Sequence, residues 1–490
     1  MIEPQRDRLA IAILALGGQG GGVLADWIQD VARAGGWLAQ GTSVPGVAQR
    51  TGSTVYYVEL GRADATGRLP VMAQMPVPGD VDIVVASELM ETGRAILRGF
   101  STADRTTLIG STHRIYAISE KAAMGDGRGN GDRIVAAAHE RSRRFIGFDM
   151  EAATERSNSV ISAVMFGALA GSGALPFARE LFEDAIRHSG IAVASNVKGF
   201  AEGFEAAQAP VTMPQEASPE VPSPTTEQGR ALAERAVASL PEPALAHAMH
   251  GLHRLMDYQG ADYATLYLDR LEKVAALDTA PFELTTELAR HLALWMSYED
   301  TIRVADLKIR AARMARVRGE VKAGDGQLLH VTEFMHPRLQ EVCEALPAGL
   351  GRMILASKGV SAFLSRFFRK GRYVKTTSLP WFFALRFIAS MRGLRPRSLR
   401  FIEEQQRIEA WLATVRHEAF RDSALATEMV RCQRLIKGYG DTFERGLSNF
   451  NRIMAQHQAQ PQTSGGIAHL CELALSDEQG MALTEGLRVA

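Results

Sequence analysis

Cysteine is scarce in this 490-residue chain: Cys343, Cys432 and Cys471 are the full set. They are widely spaced and form no CxxC, which excludes a disulfide framework and any close run of cluster-binding thiolates. Long apolar runs are missing as well. None reaches the ~18 residues that a membrane-spanning helix needs, and the polar first eight residues lack a signal-peptide core. The chain therefore reads as cytoplasmic. Net charge is also absent, with 55 Lys and Arg against 55 Asp and Glu. That zero conceals an asymmetry, because residues 1–228 hold 20 basic and 26 acidic side chains and the remainder holds 35 and 29. Such a split suggests that the C-terminal part meets something anionic. No GxxxxGK[ST] phosphate loop for ATP occurs.

What is present is organised around Ala10 to Ser53. The apolar run Ile11 to Leu16 has the length and composition of a buried parallel strand. It breaks at Gly17-Gly18-Gln19-Gly20-Gly21-Gly22, and helical periodicity follows in Val23, Leu24, Trp27, Ile28 and Val31. Strand, glycine turn and helix open a doubly wound, mostly parallel α/β sheet of Rossmann-like type. The turn then lies at the carboxyl end of its strand, where such sheets bind ligands. Glycines let the backbone approach a ligand, and the helix N-terminus offers unpaired N–H groups to an anion. A dinucleotide is a poor fit. Gly20, Gly22 and Ala25 match GxGxxA only three residues late, and no acidic residue ends the second strand, which reads Trp37 to Thr42. The remaining alternative is a turn that merely packs helix on strand.

The stretch also resembles a known family. GGQGGG, a Gly35-Gly36 pair and then Ser43-Val44-Pro45-Gly46-Val47-Ala48-Gln49-Arg50-Thr51-Gly52-Ser53 resemble the gamma domain of 2-oxoacid:ferredoxin oxidoreductases. The usual Arg-Gly-Gly is interrupted here by Thr51, and the looser Ala-Gln-Arg form looks like the indolepyruvate oxidoreductase beta subunits. The resemblance covers roughly residues 8 to 205. Lys437 to Thr442, KGYGDT, is similar to the helical C-terminal region of the long members. The resemblance implies decarboxylation of an aryl 2-oxoacid on thiamine diphosphate, electron transfer through iron–sulfur clusters to ferredoxin, and an acyl-CoA product. It places thiamine diphosphate, Mg²⁺ and the clusters on a partner subunit, with coenzyme A as co-substrate and no cofactor on this chain alone. The residues it marks for ligand contact are Gly18, Gln19, Gly20, Gly21, Ser43, Gln49, Arg50, Ser53 and Asn158. No catalytic residue is assigned.

Further along, Thr54–Leu60, Val81–Ala86, Thr106–Ile109 and Phe145–Phe148 read as strands. Ser87 reads as the N-cap of a following helix with Glu88 in its first turn, and Asn158 reads as a cap opening the apolar helix Val160 to Ala170. Gly125-Asp126-Gly127 is not a thiamine motif, since no buried strand precedes it to aim the Asp at Mg²⁺. Gly324-Asp325-Gly326 reads as a turn. Residues 1–208 form the α/β domain. Residues 209–229, with five prolines, are an extended linker. Residues 230–460 are mainly helical without a strand succession, and 461–490 are a tail. Tyr298 to Arg318 reads as one long helix with a solvated charged face. His330 and His336 lack a third metal-ligand partner.

Residues 351–400 stand apart. They hold twelve Lys or Arg, no Asp or Glu, and eight interleaved aromatics. The choices are a solvated face over an aromatic core, or a surface for an anionic partner, coenzyme A phosphates, nucleic acid or a membrane. Two further functional classes stay open: a stand-alone nucleotide or flavin protein using the glycine turn, and a non-catalytic scaffold subunit.

Overall fold

The computed structural model describes every residue except 1–6, 45–52, 65, 117–119, 121–126, 210, 212–219, 322, 325, 369, 439 and 490. Gln49, Arg50, Gly125 and Asp126 thus lie outside the described residues. The chain divides into two compact units, Met1–Ser218 and Pro219–Ala490.

The first unit is a six-stranded sheet in the order β2-β3-β1-β4-β5-β6. Its strands are β1 (Arg8–Leu16), β2 (Leu38–Val44), β3 (Ser53–Gly61), β4 (Ile83–Ala86), β5 (Thr107–Ser111) and β6 (Arg144–Phe148). Strands β1, β4, β5 and β6 are parallel, while β3 runs antiparallel between β1 and β2. Alternate residues point to opposite faces of the sheet, and each face has its own core. Ile11, Ile13, Val58, Ile83, Val85, Ile109 and Ile146 belong to one. Ala12, Leu14, Val55, Val84 and Leu108 belong to the other. A strand covered on both faces is apolar without alternation, which is why β1 reads RLAIAILAL.

The helices are α1 (Gly21–Ala34), α2 (Leu89–Leu97), α3 (Gly131–Glu140), α4 (Met150–Ser157), α5 (Ile161–Gly171), α6 (Arg179–Ser189) and α7 (Val193–Ala206). Helix α5 is apolar all round because it lies between the sheet and α7. A Cβ on Gly167 would stand 1.9 Å from the Phe200 carbonyl oxygen, and one on Gly203 would stand 2.0 Å from that of Val164. The two backbones touch, and only glycine fits.

Two caps differ from the sequence reading. Glu88, not Ser87, caps α2, its carboxylate accepting from the N–H of Met90 and Glu91 at 2.8 Å each. A carboxylate reaches two amides where a hydroxyl reaches one. Asn158 does not open α5. It closes α4 in the left-handed conformation at φ 49°, which Asn tolerates better than most residues, and Val160 precedes α5.

The second unit is helical around one core that includes Leu255, Tyr267, Leu292, Trp295, Trp411 and Leu470. Three sequence expectations change here. Tyr298 to Arg318 is two helices, Thr301–Ile309 and Ala311–Glu320, broken where Arg310 turns extended at ψ 136°. Its charges are paired rather than solvated. Arg303 and Arg310 share Asp257, and Lys308 and Arg313 share Glu333 at 2.6 and 3.0 Å. A small antiparallel sheet is also present, β7 (Thr332–Met335) with β8 (Arg372–Lys375). Finally, the segment expected as a tail forms helices Ser464–Ser476 and Met481–Val489, which bury Ile467, Leu470, Cys471 and Leu483 in the core.

Candidate functional site

The site lies where the parallel strands end. The register Leu14↔Ala86 and Leu16↔Ser53 brings the end of β1, the end of β4 and the start of β3 to one edge. Because β2 is antiparallel to β3, with Val44 opposite Val55, its last residue reaches the same edge. The glycine turn, Ser87-Glu88 and both ends of the β2–β3 connection are gathered there. This edge is also where chain direction switches, since β1 leads to β2 and β3 on one side and β4 lies on the other.

Gly18 and Gly20 take φ of +91° and +70°, values that L side chains resist. Gly20 is the N-cap of α1 and offers no side chain to the helix, and no acidic residue sits in the first turn. Helix α5 starts in the same way, with Val160 as N-cap, no side-chain cap and no first-turn acid. The two starts are adjacent. A Cβ on Gly20 would lie 2.8 Å from Ser162 Oγ in the first turn of α5. Of the other helices, α2, α3 and α4 are capped by the side chains of Glu88, Asn130 and Asp149, while α6 and α7 also lack a side-chain cap. Two uncapped N-termini meeting at a glycine turn concentrate free N–H groups and positive partial charge in one place. That arrangement suits a phosphate or carboxylate.

Gln19 ties the turn together. Its Oε1 accepts from the Leu16 N–H at 3.0 Å and from the Ser87 hydroxyl across the gap between β1 and β4. Tyr56 packs against the turn from β3, so that a Cβ on Gly21 would fall 2.5 Å from its ring. Gly18, Gln19, Gly20 and Gly21 are thus brought together. Ser43 is exposed on the outer strand β2, opposite Tyr56. Ser53 begins β3 opposite Leu16. Asn158 is exposed at the end of α4.

Residues that the sequence reading left aside also stand at this edge. Glu88 is buried, and desolvation, helped by the nearby Glu91 carboxylate, pushes its pKa up to about 7 against the pull of its backbone donors. Ser111 Oγ lies 2.5 Å from His113 Nδ1 at the end of β5, and burial lowers the His113 pKa against the opposing pull of Glu151 and Asp149. The signal available for both was position alone: polar residues directly after a buried apolar strand.

Comparisons with known proteins match the two units separately. Residues 10–206 match the family model of pyruvate ferredoxin/flavodoxin oxidoreductase. Residues 245–456 match a family of unknown function (DUF6537). A comparison with curated proteins returns no match. Among solved structures, a pyruvate oxidoreductase subunit from Thermotoga maritima is 17% identical, with TM-score 0.29 over 41% of this chain and 97% of its own. A keto/oxoacid ferredoxin oxidoreductase gamma subunit from Geobacter sulfurreducens is 16% identical, with TM-score 0.28 over 41% and 98%. A 2-oxoglutarate:ferredoxin oxidoreductase from Magnetococcus marinus is 13% identical, with TM-score 0.31 over 56% and 45%. The α/β unit is therefore similar, from Ala10 to Ala206, to the pyruvate ferredoxin/flavodoxin oxidoreductase family, and the helical unit to a family with no function attached.

Proposed function

We propose that this chain is the gamma-type component of a 2-oxoacid:ferredoxin oxidoreductase acting on an arylpyruvate such as indolepyruvate. The reaction joins the decarboxylated acyl group to coenzyme A, releases CO₂ and passes two electrons to ferredoxin. The observation that carries the reading is the meeting of two uncapped helix N-termini at the Gly17–Gly22 turn, inside the residues that match the family. In this reading the backbone N–H groups of the turn hold the pyrophosphate of coenzyme A, and Arg50 adds a cation from the β2–β3 connection. Gly18, Gln19, Gly20, Gly21, Ser43, Gln49, Ser53 and Asn158 complete the ligand edge.

Thiamine diphosphate, Mg²⁺ and the iron–sulfur clusters are assigned to a partner subunit, where they supply the carbanion chemistry and the electron path. The donor set of this chain fits that division. A four-cysteine cluster needs more thiolates than Cys343, Cys432 and Cys471 provide, and the α/β unit has none. The test is turnover by the complex purified with its companion subunit. Indole-3-pyruvate, coenzyme A and a low-potential dye should give the CoA thioester, CO₂ and reduced dye in a 1:1:2-electron ratio. A complex inert toward every 2-oxoacid refutes the proposal.

A further inference from the structure

The cations of residues 351–400 do not share one setting among the described residues. Arg395 is buried and binds Asp300 through two nitrogens at 2.7 and 3.2 Å, the Tyr258 carbonyl at 2.8 Å and Gln259 Oε1 at 2.8 Å. Arg400 pairs with Glu344 and Glu404. These two belong to the fold. Arg352, Lys358, Arg366, Lys370, Lys375 and Arg386 are exposed and form no ion pair among the described residues.

The same surface leaves large apolar groups in water. Phe363 is 58% exposed, Phe383 63%, Phe387 71% and Tyr373 80%. Phe383, Arg386 and Phe387 share one face of the helix Leu379–Ser390 at spacings of three and four. Phe334 and Tyr373 stack edge to face across β7 and β8, with 5.3 Å between ring centroids. Aromatic side chains exposed this far, repeated along residues 363–387, mark an interaction surface rather than the single apolar groups normal on a protein exterior. Its chemistry, Arg and aromatics with Met353 and no acid, matches the centre of a protein interface.

A lipid surface fits less well. A membrane-surface helix separates an apolar face from a cationic one. Helix Leu379–Ser390 is apolar around most of its circumference with Arg386 as its one cation, and Lys370, Arg372 and Lys375 sit on or beside a strand.

We infer that the exposed basic–aromatic surface of residues 350–394 docks an acidic, apolar-centred face of the thiamine-bearing partner subunit. The inference rests on the proposed function for the identity of that partner. Carboxylates of the partner would meet the unpaired cations, steering encounter, while Phe363, Phe383 and Phe387 would enter apolar pockets and slow dissociation.

The test uses the full chain with the companion subunit that purifies with it, followed by light scattering and by binding at 50 and 500 mM NaCl. Wild type should lose at least tenfold in affinity over that range. Arg366→Glu/Arg386→Glu and Phe383→Ser/Phe387→Ser should each weaken binding at least tenfold at low salt, with unfolding midpoints unchanged because these side chains are exposed. Arg230→Glu, exposed elsewhere, should bind normally. A thiamine-containing companion that binds both double variants like wild type overturns this inference alone. A companion without thiamine diphosphate overturns the proposed function and the inference together. Selective binding of wild type to phosphatidylglycerol vesicles, lost in the same variants, also overturns the inference.

Discussion

The glycine turn permits a test in which packing and ligand contact separate, because its glycines are not equivalent. A Cβ on Gly17 meets nothing within 4 Å and needs no left-handed φ. Gly17→Val should therefore change stability by no more than ~0.5 kcal/mol. Gly18 is equally open but sits at φ +91°, so Gly18→Ala costs roughly 1–2 kcal/mol of backbone strain. Gly20 combines φ +70° with a contact of 2.8 Å to Ser162 Oγ, and strain plus overpacking gives roughly 2–4 kcal/mol for Gly20→Ala. Gly21→Ala pushes into the Tyr56 ring and Ala15 for about 1–3 kcal/mol. At ~2–4 °C per kcal/mol for a unit of this size, Gly20→Ala should lower the first unit's midpoint by roughly 4–16 °C and Gly17→Val by ~2 °C or less. Calorimetry on the full chain and coenzyme A-dependent turnover by the assembled enzyme give the two readouts. Gly17→Val should keep its midpoint and lose at least ~10-fold in kcat/KM for coenzyme A, equivalent to ~1.4 kcal/mol. If Gly17→Val is folded and fully active, no ligand approaches the turn and the site assignment fails. If Gly20→Ala melts like wild type, the packing argument fails.

Other outcomes follow from the same structure. Arg395→Ala leaves Asp300 buried without its partner and should cost ~3–5 kcal/mol in the helical unit, whereas Arg386→Ala, on the surface, should stay within ~0.5 kcal/mol by urea titration. Glu88 titrates near 7 when folded and near 4.5 when unfolded, so the native state holds the extra proton between those values. Stability is thus fully gained below pH 4.5 and lost as pH rises to about 7, by about 3 kcal/mol at ~1.4 kcal/mol per pH unit, and Glu88→Gln should flatten that slope in urea titrations from pH 4.5 to 8. Gly203→Ala drives a methyl into the Val164 carbonyl and should abolish the first unit's cooperative transition while the helical unit's transition persists. Retention of both transitions in calorimetry would contradict the close approach of α5 and α7.

The fold class was legible because its signals are local and strong. Apolar strands such as Ile11–Leu16 and Val81–Ala86, followed by polar or glycine residues, announce a buried sheet whatever surrounds them. The antiparallel insertion of β3 between β1 and β2 was not legible, since pairing order is a long-range property that periodicity does not encode. The caps of α2 and α5 were misplaced because Ser87 and Asn158 are favoured cap residues, whereas the fold starts these helices at Glu88, whose carboxylate reaches two amides, and at Val160, which brings no side-chain cap. The charges of Lys308, Arg310 and Arg313 read as solvated because their partners Asp257 and Glu333 lie 20 or more residues away in the chain. At the candidate site, glycines were visible as glycines, but their division into open and crowded positions depends on Tyr56 and Ser162, which no local pattern connects to them. The twelve cations of residues 351–400 looked like one feature in sequence, and only burial separates Arg395 and Arg400 from the rest.

The Gln19–Ser87 hydrogen bond has a mechanical consequence. Up to Leu14 and Ala86 the parallel ladder fixes the spacing of β1 and β4, but beyond that pair the two chains part to enter α1 and α2. The Gln19 Oε1 bridges the opening, accepting from the Leu16 N–H on one side and from the Ser87 hydroxyl on the other. It acts as a strut: a push on the turn by an incoming anion is delivered to Ser87, and through the adjoining residue to the carboxylate that starts α2. Stiffness at the mouth of the site then comes from one rotatable side chain together with the last backbone bond between the strands, from the Ser87 N–H to the Leu14 carbonyl at 3.0 Å. Replacing Gln19 by leucine should leave the sheet intact while hastening amide exchange at Met90 and Glu91, which the strut otherwise helps hold in register.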